Sequence, residues 1–367
     1  MKIGVLTSSR ADYGIYRPLL ELWLNDEEIE FEIIAFGQHL LNSFGNTFQE
    51  IEQDGFEVKH KISVNYENDS PSGIASNYAN IVKKFVEFWQ NNRFDWVIAL
   101  GDRYEMSAAV QASIPFQLRI AHIHAGETTL GAIDEIYRHQ ISLVAELHFV
   151  SLDIYAKRIH DLVNCTGSTT VTGAIGLENL KKIKLMNVHD FMQKWNIDMN
   201  IPTLFFIVHP ETKNYESNIE YSHVLEEACL ELVKTFQLII SLPNSDTNGS
   251  IYREMWKRVQ SKNESIKLIE HFGSESFFSC MKLSKLIVGN SSSAILEAAS
   301  FNKYALNLGD RQLGRFSGEN VINILFDKSE IIFNVLKYVN QEFNGSNIYE
   351  KKNGIQLITE KLKLSKY

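Results

Sequence analysis

The chain has 367 residues, long enough for two domains, and 44% of them are hydrophobic, enough for a sizeable core. It carries 36 Lys+Arg against 45 Asp+Glu, a formal charge of -9, which argues against nucleic acid or an anionic membrane as the main partner. The three cysteines, Cys165, Cys229 and Cys280, are scattered without CxxC spacing and read as reduced thiols. No apolar stretch reaches the ~18 residues of a membrane span, and the N-terminus lacks a signal-peptide pattern, so a cytoplasmic protein is expected.

Short β-branched runs alternate with longer helical patterns. In chain order, strands are expected at Lys2–Thr7, Phe31–Phe36, Val58–Val64, Trp96–Leu100, Arg119–His124, Leu147–Val150 and Thr169–Thr172. Between the third and fourth, Ile74, Tyr78, Ile81, Val82, Phe85, Phe88 and Trp89 recur at three- and four-residue spacing, an amphipathic helix. Residues 178–200 are polar and rich in Lys and Asn. A second series follows, with strands at Thr203–Val208, Gln237–Leu242, Ile266–Phe272, Leu286–Gly289 and Tyr304–Leu308. Strand–helix alternation favours parallel sheets covered by helices. The expected fold class is therefore α/β, with two Rossmann-like doubly wound domains. The first spans residues 1–185 and carries the acid/base residues. The second spans 186–350, and residues 351–367 form a C-terminal helix able to pack back on the first domain.

The chemistry concentrates where strands end. Residues 122–139 hold His122, His124, Glu127, Asp134 and Glu135, with Arg138 and His139 a turn later. Leu-Gly-Asp-Arg-Tyr-Glu (100–105) ends the preceding strand with Asp102 and Arg103. Open α/β sheets place ligands at such strand ends, and acids, bases and arginine together suit proton chemistry on an anionic ligand. The first strand runs into Thr-Ser-Ser-Arg-Ala-Asp-Tyr-Gly (7–14), which is neither a dinucleotide fingerprint nor a P-loop. Arg10 there either reaches a phosphate or belongs to an ordinary Ser/Asp-capped turn. In the second series, Gly-Asn-Ser-Ser-Ser (289–293) is a strand-to-helix anion cradle built on Ser291 and Ser292, with Glu297 placed for a ribose; serine capping alone is the plainer reading. His209 and Asn244 follow further strands, and Arg311 and Arg315 lie on a Gly-punctuated loop. His122 and His124 alternate on a strand and no HExxH pairing occurs, so no metal is expected.

Taken together and in order, Arg-Ala-Asp-Tyr-Gly, Gly-Asp-Arg-Tyr-Glu, His-Ile-His-Ala-Gly-Glu, His-Pro-Glu-Thr, Gly-Asn-Ser-Ser-Ser and Asn-Leu-Gly-Asp-Arg-Gln resemble the hydrolysing UDP-N-acetylglucosamine 2-epimerases of sialic-acid biosynthesis. The resemblance covers nearly the whole chain. It implies a GT-B-like fold with the ligand in the interdomain cleft, no cofactor and no metal. It implies conversion of UDP-N-acetylglucosamine to N-acetylmannosamine and UDP through a 2-acetamidoglucal, with a UDP-sugar as the bound partner. By matching positions, Asp102, Glu127, Asp134, His124 and Glu135 are the expected catalytic groups. Arg10, Arg103, His209, Ser291, Ser292 and Arg311 are expected around the diphosphate or uridine, and Asn244, His271 and Glu297 at the nucleotide. Some relatives carry glutamate in place of His124, and Asp134 and Glu135 are hard to separate. A homodimer or homotetramer is expected. The same reaction on UDP-2,4-diacetamido-2,4,6-trideoxy-glucose is the nearest alternative, followed by the non-hydrolysing epimerase.

Overall fold

The structure is a computed structural model and describes residues 1–42, 45–164, 167–243 and 249–365. The chain forms two compact units: one of residues 1–127, 134–181 and 349–367, the other of residues 128–133 and 182–348. No helix among the described residues is long and apolar enough to cross a membrane. Cys229 and Cys280 are buried free thiols; Cys165 lies outside the described residues.

Unit 1 holds a seven-stranded sheet built from β1 (Lys2–Thr7), β2 (Glu30–Ala35), β3 (His60–Lys61), β4 (Trp96–Leu100), β5 (Ile120–Ile123), β6 (Leu147–Val150) and β7 (Thr169–Val171), in the order β3-β2-β1-β4-β5-β6-β7. Every pairing is parallel. Its central strands are buried on both faces, so they read as apolar runs, but the two-residue period is still visible. Ile33, Ala35, Trp96, Ile98 and Leu100 enter one core with Tyr13, Leu19 and Trp23 of α1 (Arg10–Trp23). Ile34, Val97 and Ala99 enter the other with Ile81, Phe85 and Trp89 of α3 (Pro71–Asn91). Complete burial of such side chains contributes about 1.5–3 kcal/mol each. The C-terminal helix, α14 (Gly354–Leu364), completes the first of these cores with Ile355, Ile358 and Leu362, and its Thr359 Oγ1 accepts from the Trp23 indole at 2.9 Å.

Unit 2 repeats the plan with β8 (Thr203–Ile207), β9 (Gln237–Ser241), β10 (Ile266–Ile269), β11 (Leu286–Gly289), β12 (Ala305–Leu308) and β13 (Val321–Ile324), in the order β10-β9-β8-β11-β12-β13. Leu204, Phe206 and Val208 point to one core, Phe205 and Ile207 to the other. In both sheets the strand order reverses once, between β1 and β4 and between β8 and β11. Helices leave those neighbouring strands toward opposite faces, opening a crevice at the strand ends where ligands bind in open α/β sheets. Arg10 and Asp102 follow β1 and β4; His209 and Ser291 follow β8 and β11.

Residues 128–133 leave unit 1 and pack on unit 2. Leu130 N–H donates to Leu313 O at 2.8 Å, Ile133 N–H to Thr212 Oγ1 at 3.0 Å, and Lys213 Nζ to Leu130 O at 3.0 Å. A Cβ on Gly131 would fall 1.7 Å from Asp310 O, so only glycine fits that crossing.

His39, fully buried in unit 1 behind β1, shares hydrogen bonds with Thr7 Oγ1 and Thr47 Oγ1, both at 2.8 Å. Burial pushes its pKa down to about 3. The unfolded chain therefore takes up a proton near pH 6.5 that folded His39 refuses until about pH 3. Stability from this residue is complete above pH 6.5 and is lost as pH falls, by up to ~1.4 kcal/mol per pH unit. His39→Gln, which keeps a hydrogen-bonding amide there, is expected to lose less stability than the parent chain between pH 7 and pH 5. Urea midpoints at the two pH values measure the difference.

Candidate active site

In unit 1 the chain turns sharply after β4 and β5. Gly101 has a φ of +75°, and Asp102 and Arg103 lead into α4 (Tyr104–Gln111). After β5, His124 has a φ of +60° and Gly126 one of +69°. A left-handed non-glycine residue costs about 1–3 kcal/mol and persists only where its surroundings hold it. The holding group is Arg138 of α5 (Asp134–Val144), only 1% exposed. Its Nη1 donates to His124 O at 2.8 Å and lies 3.9 Å from Glu127 Oε2, while its Nη2 pairs with Asp102 Oδ2. One buried guanidinium thus joins the ends of β4 and β5. Glu127 Oε1 meets His124 Nδ1 at 2.5 Å and accepts from Ser151 Oγ at 2.8 Å.

Asp102, His124 and Glu127 are therefore brought together. Asp134 opens α5 half-buried. Glu135 turns elsewhere: its Oε1 lies 3.5 Å from His139 Nε2 and 3.8 Å from Arg158 Nη2. Arg10 is the first residue of α1, behind a Ser9–Asp12 capping box, with Nη1 3.8 Å from Glu50. Arg103 makes a bidentate pair with buried Glu105 at 3.0 and 3.2 Å. Glu105 and Asp12 are both held above the usual carboxylate range by burial, and the charge of Arg103 opposes that rise in each.

In unit 2, Asn290 ties the ends of β8 and β11 together. Its Oδ1 accepts from His209 N–H at 2.7 Å and its Nδ2 donates to His209 O at 2.9 Å. Gly289 lies against β8 so closely that a Cβ would sit 2.0 Å from Ile207 O. Ser291 caps α12 (Ser292–Leu296), its Oγ accepting from Ser293 N–H at 3.4 Å, and Glu297 ends that helix. Five residues give α12 little dipole, so hydroxyls and backbone N–H groups are what this turn offers an anion. Arg311 belongs to a loop whose N–H groups at Asp310 and Arg311 both donate to buried Glu211 Oε1, at 3.1 and 3.0 Å. Burial raises the Glu211 pKa and the Arg311 charge opposes the rise. His271 lies beyond the end of β10 rather than within it, before α11 (Gly273–Leu283). Asn244 lies outside the described residues.

Three groups that organise these ends carried no assigned role in the sequence reading: Arg138, Asn290 and Glu211. Arg138 was detectable, because it shares a helix face with buried Glu135, Ile141 and Ser142 at three- and four-residue spacing. Asn290 and Glu211 act on backbone groups, which periodicity does not reveal. His122 is fully buried, its Nε2 on Gly101 O at 2.8 Å and its Nδ1 on Ser142 Oγ at 2.9 Å, and burial pushes its pKa well down. It supports the β4 turn. No group of three His, Cys, Asp or Glu placed to hold a metal occurs among the described residues.

Unit 1 thus gathers carboxylates, a histidine and a buried arginine, and unit 2 serine hydroxyls, backbone N–H groups and Arg311, each at the switch point of a doubly wound sheet. The fold class is α/β, with two doubly wound parallel sheets. Residues 23–363 match the family model described as UDP-N-acetylglucosamine 2-epimerase, and the chain belongs to that family. It is 32% identical to the polysialic acid biosynthesis protein P7 of Escherichia coli over 96% of this chain and 91% of that protein. It is also 32% identical to the UDP-N,N'-diacetylbacillosamine 2-epimerase (hydrolyzing) of Legionella pneumophila, over 95% of this chain and 92% of that one. The crystal structure of UDP-GlcNAc 2-epimerase from Neisseria meningitidis bound to UDP-GlcNAc has the same fold, with a TM-score of 0.83, 21% identity and full coverage of both chains. The GT-B-like α/β fold expected from the sequence is the fold found.

Proposed function

We propose that this protein is a hydrolysing 2-epimerase that converts UDP-N-acetylglucosamine to N-acetylmannosamine and UDP in cytoplasmic sialic-acid biosynthesis. The observation that carries the reading is the buried Arg138, which fixes Asp102 and the His124–Glu127 turn at two adjacent strand ends in a chain of this family. Loss of the C2 proton and departure of UDP from C1 give a 2-acetamidoglucal. Water then adds at C1 and a proton returns to C2 on the opposite face. This needs proton-transfer groups at the sugar and cations at the diphosphate. Asp102, His124 and Asp134 form the acid/base set, with Glu127 beside them. Asp134 is preferred to Glu135, whose carboxylate already faces His139 and Arg158. Arg10, Arg103, His209, Ser291, Ser292 and Arg311 serve the diphosphate and uridine, with Asn244, His271 and Glu297 at the nucleotide.

A second reading is the same reaction on UDP-2,4-diacetamido-2,4,6-trideoxy-glucose; the Legionella relative, equally identical, is named for a diacetamido sugar of this kind. Incubation with each UDP-sugar, followed by NMR of the products, tests both. N-acetylmannosamine and UDP in equal amounts from UDP-N-acetylglucosamine are expected. Turnover of the diacetamido sugar alone would establish the second reading, and accumulating UDP-N-acetylmannosamine would make the enzyme non-hydrolysing.

Arg10→Ala and Arg311→Ala are each expected to weaken UDP by about 10–100-fold and uridine much less, because arginine pairs with diphosphate oxygens. Calorimetric titration with both ligands reads this. Equal losses for the two would remove the arginines from the phosphates.

A further inference from the structure

We propose that His124 is the proton-transferring group at the end of β5, and that Glu127 is the residue that positions its imidazole rather than a second acid/base. The inference rests on the epimerase reading and separates the roles of His124 and Glu127 within it.

Glu127 is closed off. It is 1% exposed; Oε1 receives both the His124 ring and the Ser151 hydroxyl, and Oε2 faces Arg138. An acid or base must reach its substrate directly or through one water, and this carboxylate presents no open oxygen. Asp102, on the other side of the same guanidinium, keeps a quarter of its side chain exposed. The two carboxylates that share Arg138 are therefore not equivalent: one is open and one is enclosed.

His124 is buried as well, its side chain 7% exposed, but its bond to Glu127 takes up Nδ1 and leaves that carboxylate off Nε2. A carboxylate acceptor at Nδ1 fixes the imidazole tautomer with the proton on that nitrogen, and the lone pair then falls on Nε2. The ring direction is set from two sides. Glu127 takes Nδ1, and Arg138 takes the backbone oxygen of the same residue at 2.8 Å. The strained φ of +60° is at this residue, where it directs the side chain. Gly126 locks the turn beyond it, since a Cβ there would meet Tyr155 O at 2.7 Å. A proton taken from C2 by Nε2 leaves His124 as imidazolium beside the Glu127 carboxylate. Loss of that proton to solvent restores neutral His124, while C2 receives its new proton from an acid on the opposite face, so the dyad is unchanged over the cycle.

The test combines a spectroscopic and a kinetic readout on the full chain. In protein labelled with 15N at histidine, neutral His124 is expected to carry its proton on Nδ1, and Glu127→Ala is expected to lose that signature. His124→Ala is expected to lower kcat by ~10²–10⁴-fold, with partial rescue by added imidazole. Glu127→Ala should lower it by only ~10–100-fold, with KM little changed and no rescue. Glu127→Gln, which keeps an acceptor for Nδ1–H, should recover much of that loss. The double variant should be no worse than His124→Ala. Multiplying losses, or a Glu127→Ala defect as deep as that of His124→Ala, would overturn the assignment, as would a His124 proton on Nε2. If no UDP-sugar is turned over by the parent chain, the epimerase reading fails, and the tautomer measurement still decides the dyad.

Discussion

Asp102→Asn is expected to reduce turnover by ~10²–10⁴-fold while UDP still binds. Asp102 is the first residue beyond Gly101 at the end of β4, and its carboxylate is both paired to Arg138 and partly open. Asparagine keeps the shape and loses the charge and the proton exchange. Nucleotide-holding groups are assigned to unit 2 and to Arg10 and Arg103, so affinity for UDP should survive. Asp134→Asn is expected to behave in the same way, from the start of α5. Initial rates with saturating substrate, beside a UDP titration, separate the two effects. Near-normal rates in both variants would remove these carboxylates from the chemistry.

The largest effect on stability is expected at Arg138. Arg138→Leu leaves Glu127 buried without its cation and His124 O without its donor, while Asp102 loses its partner. Removing one side of a buried ion pair costs about 3–5 kcal/mol, because the charge left behind is uncompensated. Arg138→Lys should recover little. A single ammonium does not span the fork that reaches Asp102 with one nitrogen and the His124 carbonyl with the other. Urea unfolding of the three proteins measures this. A loss below about 1 kcal/mol for Arg138→Leu would mean that the cluster does not depend on the guanidinium.

Strand positions were legible because buried parallel strands leave dense β-branched runs. The runs at Lys2–Thr7, Trp96–Leu100, Leu147–Val150 and Leu286–Gly289 became strands with those bounds. Two departures have physical causes. Val58–Val64 pairs only at His60–Lys61, because it is the edge of the sheet and its neighbour β2 leaves register after Ala35. β13 (Val321–Ile324) was missed; it is a short edge strand beside β12, and Asn323 interrupts its apolar pattern. The clustering of Asp102, His124 and Glu127 followed from strand ends alone. What sequence spacing did not show is how their surroundings divide them: Glu127 is enclosed, Asp102 keeps a quarter of its side chain exposed, and Glu135 is turned toward His139 and Arg158. Those differences arise from Ser151 and Arg158, which come from later parts of the chain. The crossing of residues 128–133 to unit 2 was equally hidden, since its contacts with Thr212, Asp310 and Leu313 are remote in sequence.

The reaction itself is tested most directly by turnover of UDP-N-acetylglucosamine in D₂O with NMR of the products. Removal of the C2 proton and return of one from a solvent-exchanged acid predicts N-acetylmannosamine with deuterium at C2. UDP should appear in equal amount, with no UDP-N-acetylmannosamine. Release of N-acetylglucosamine with hydrogen retained at C2 would mean that only the C1–oxygen bond is cleaved, and would contradict the account.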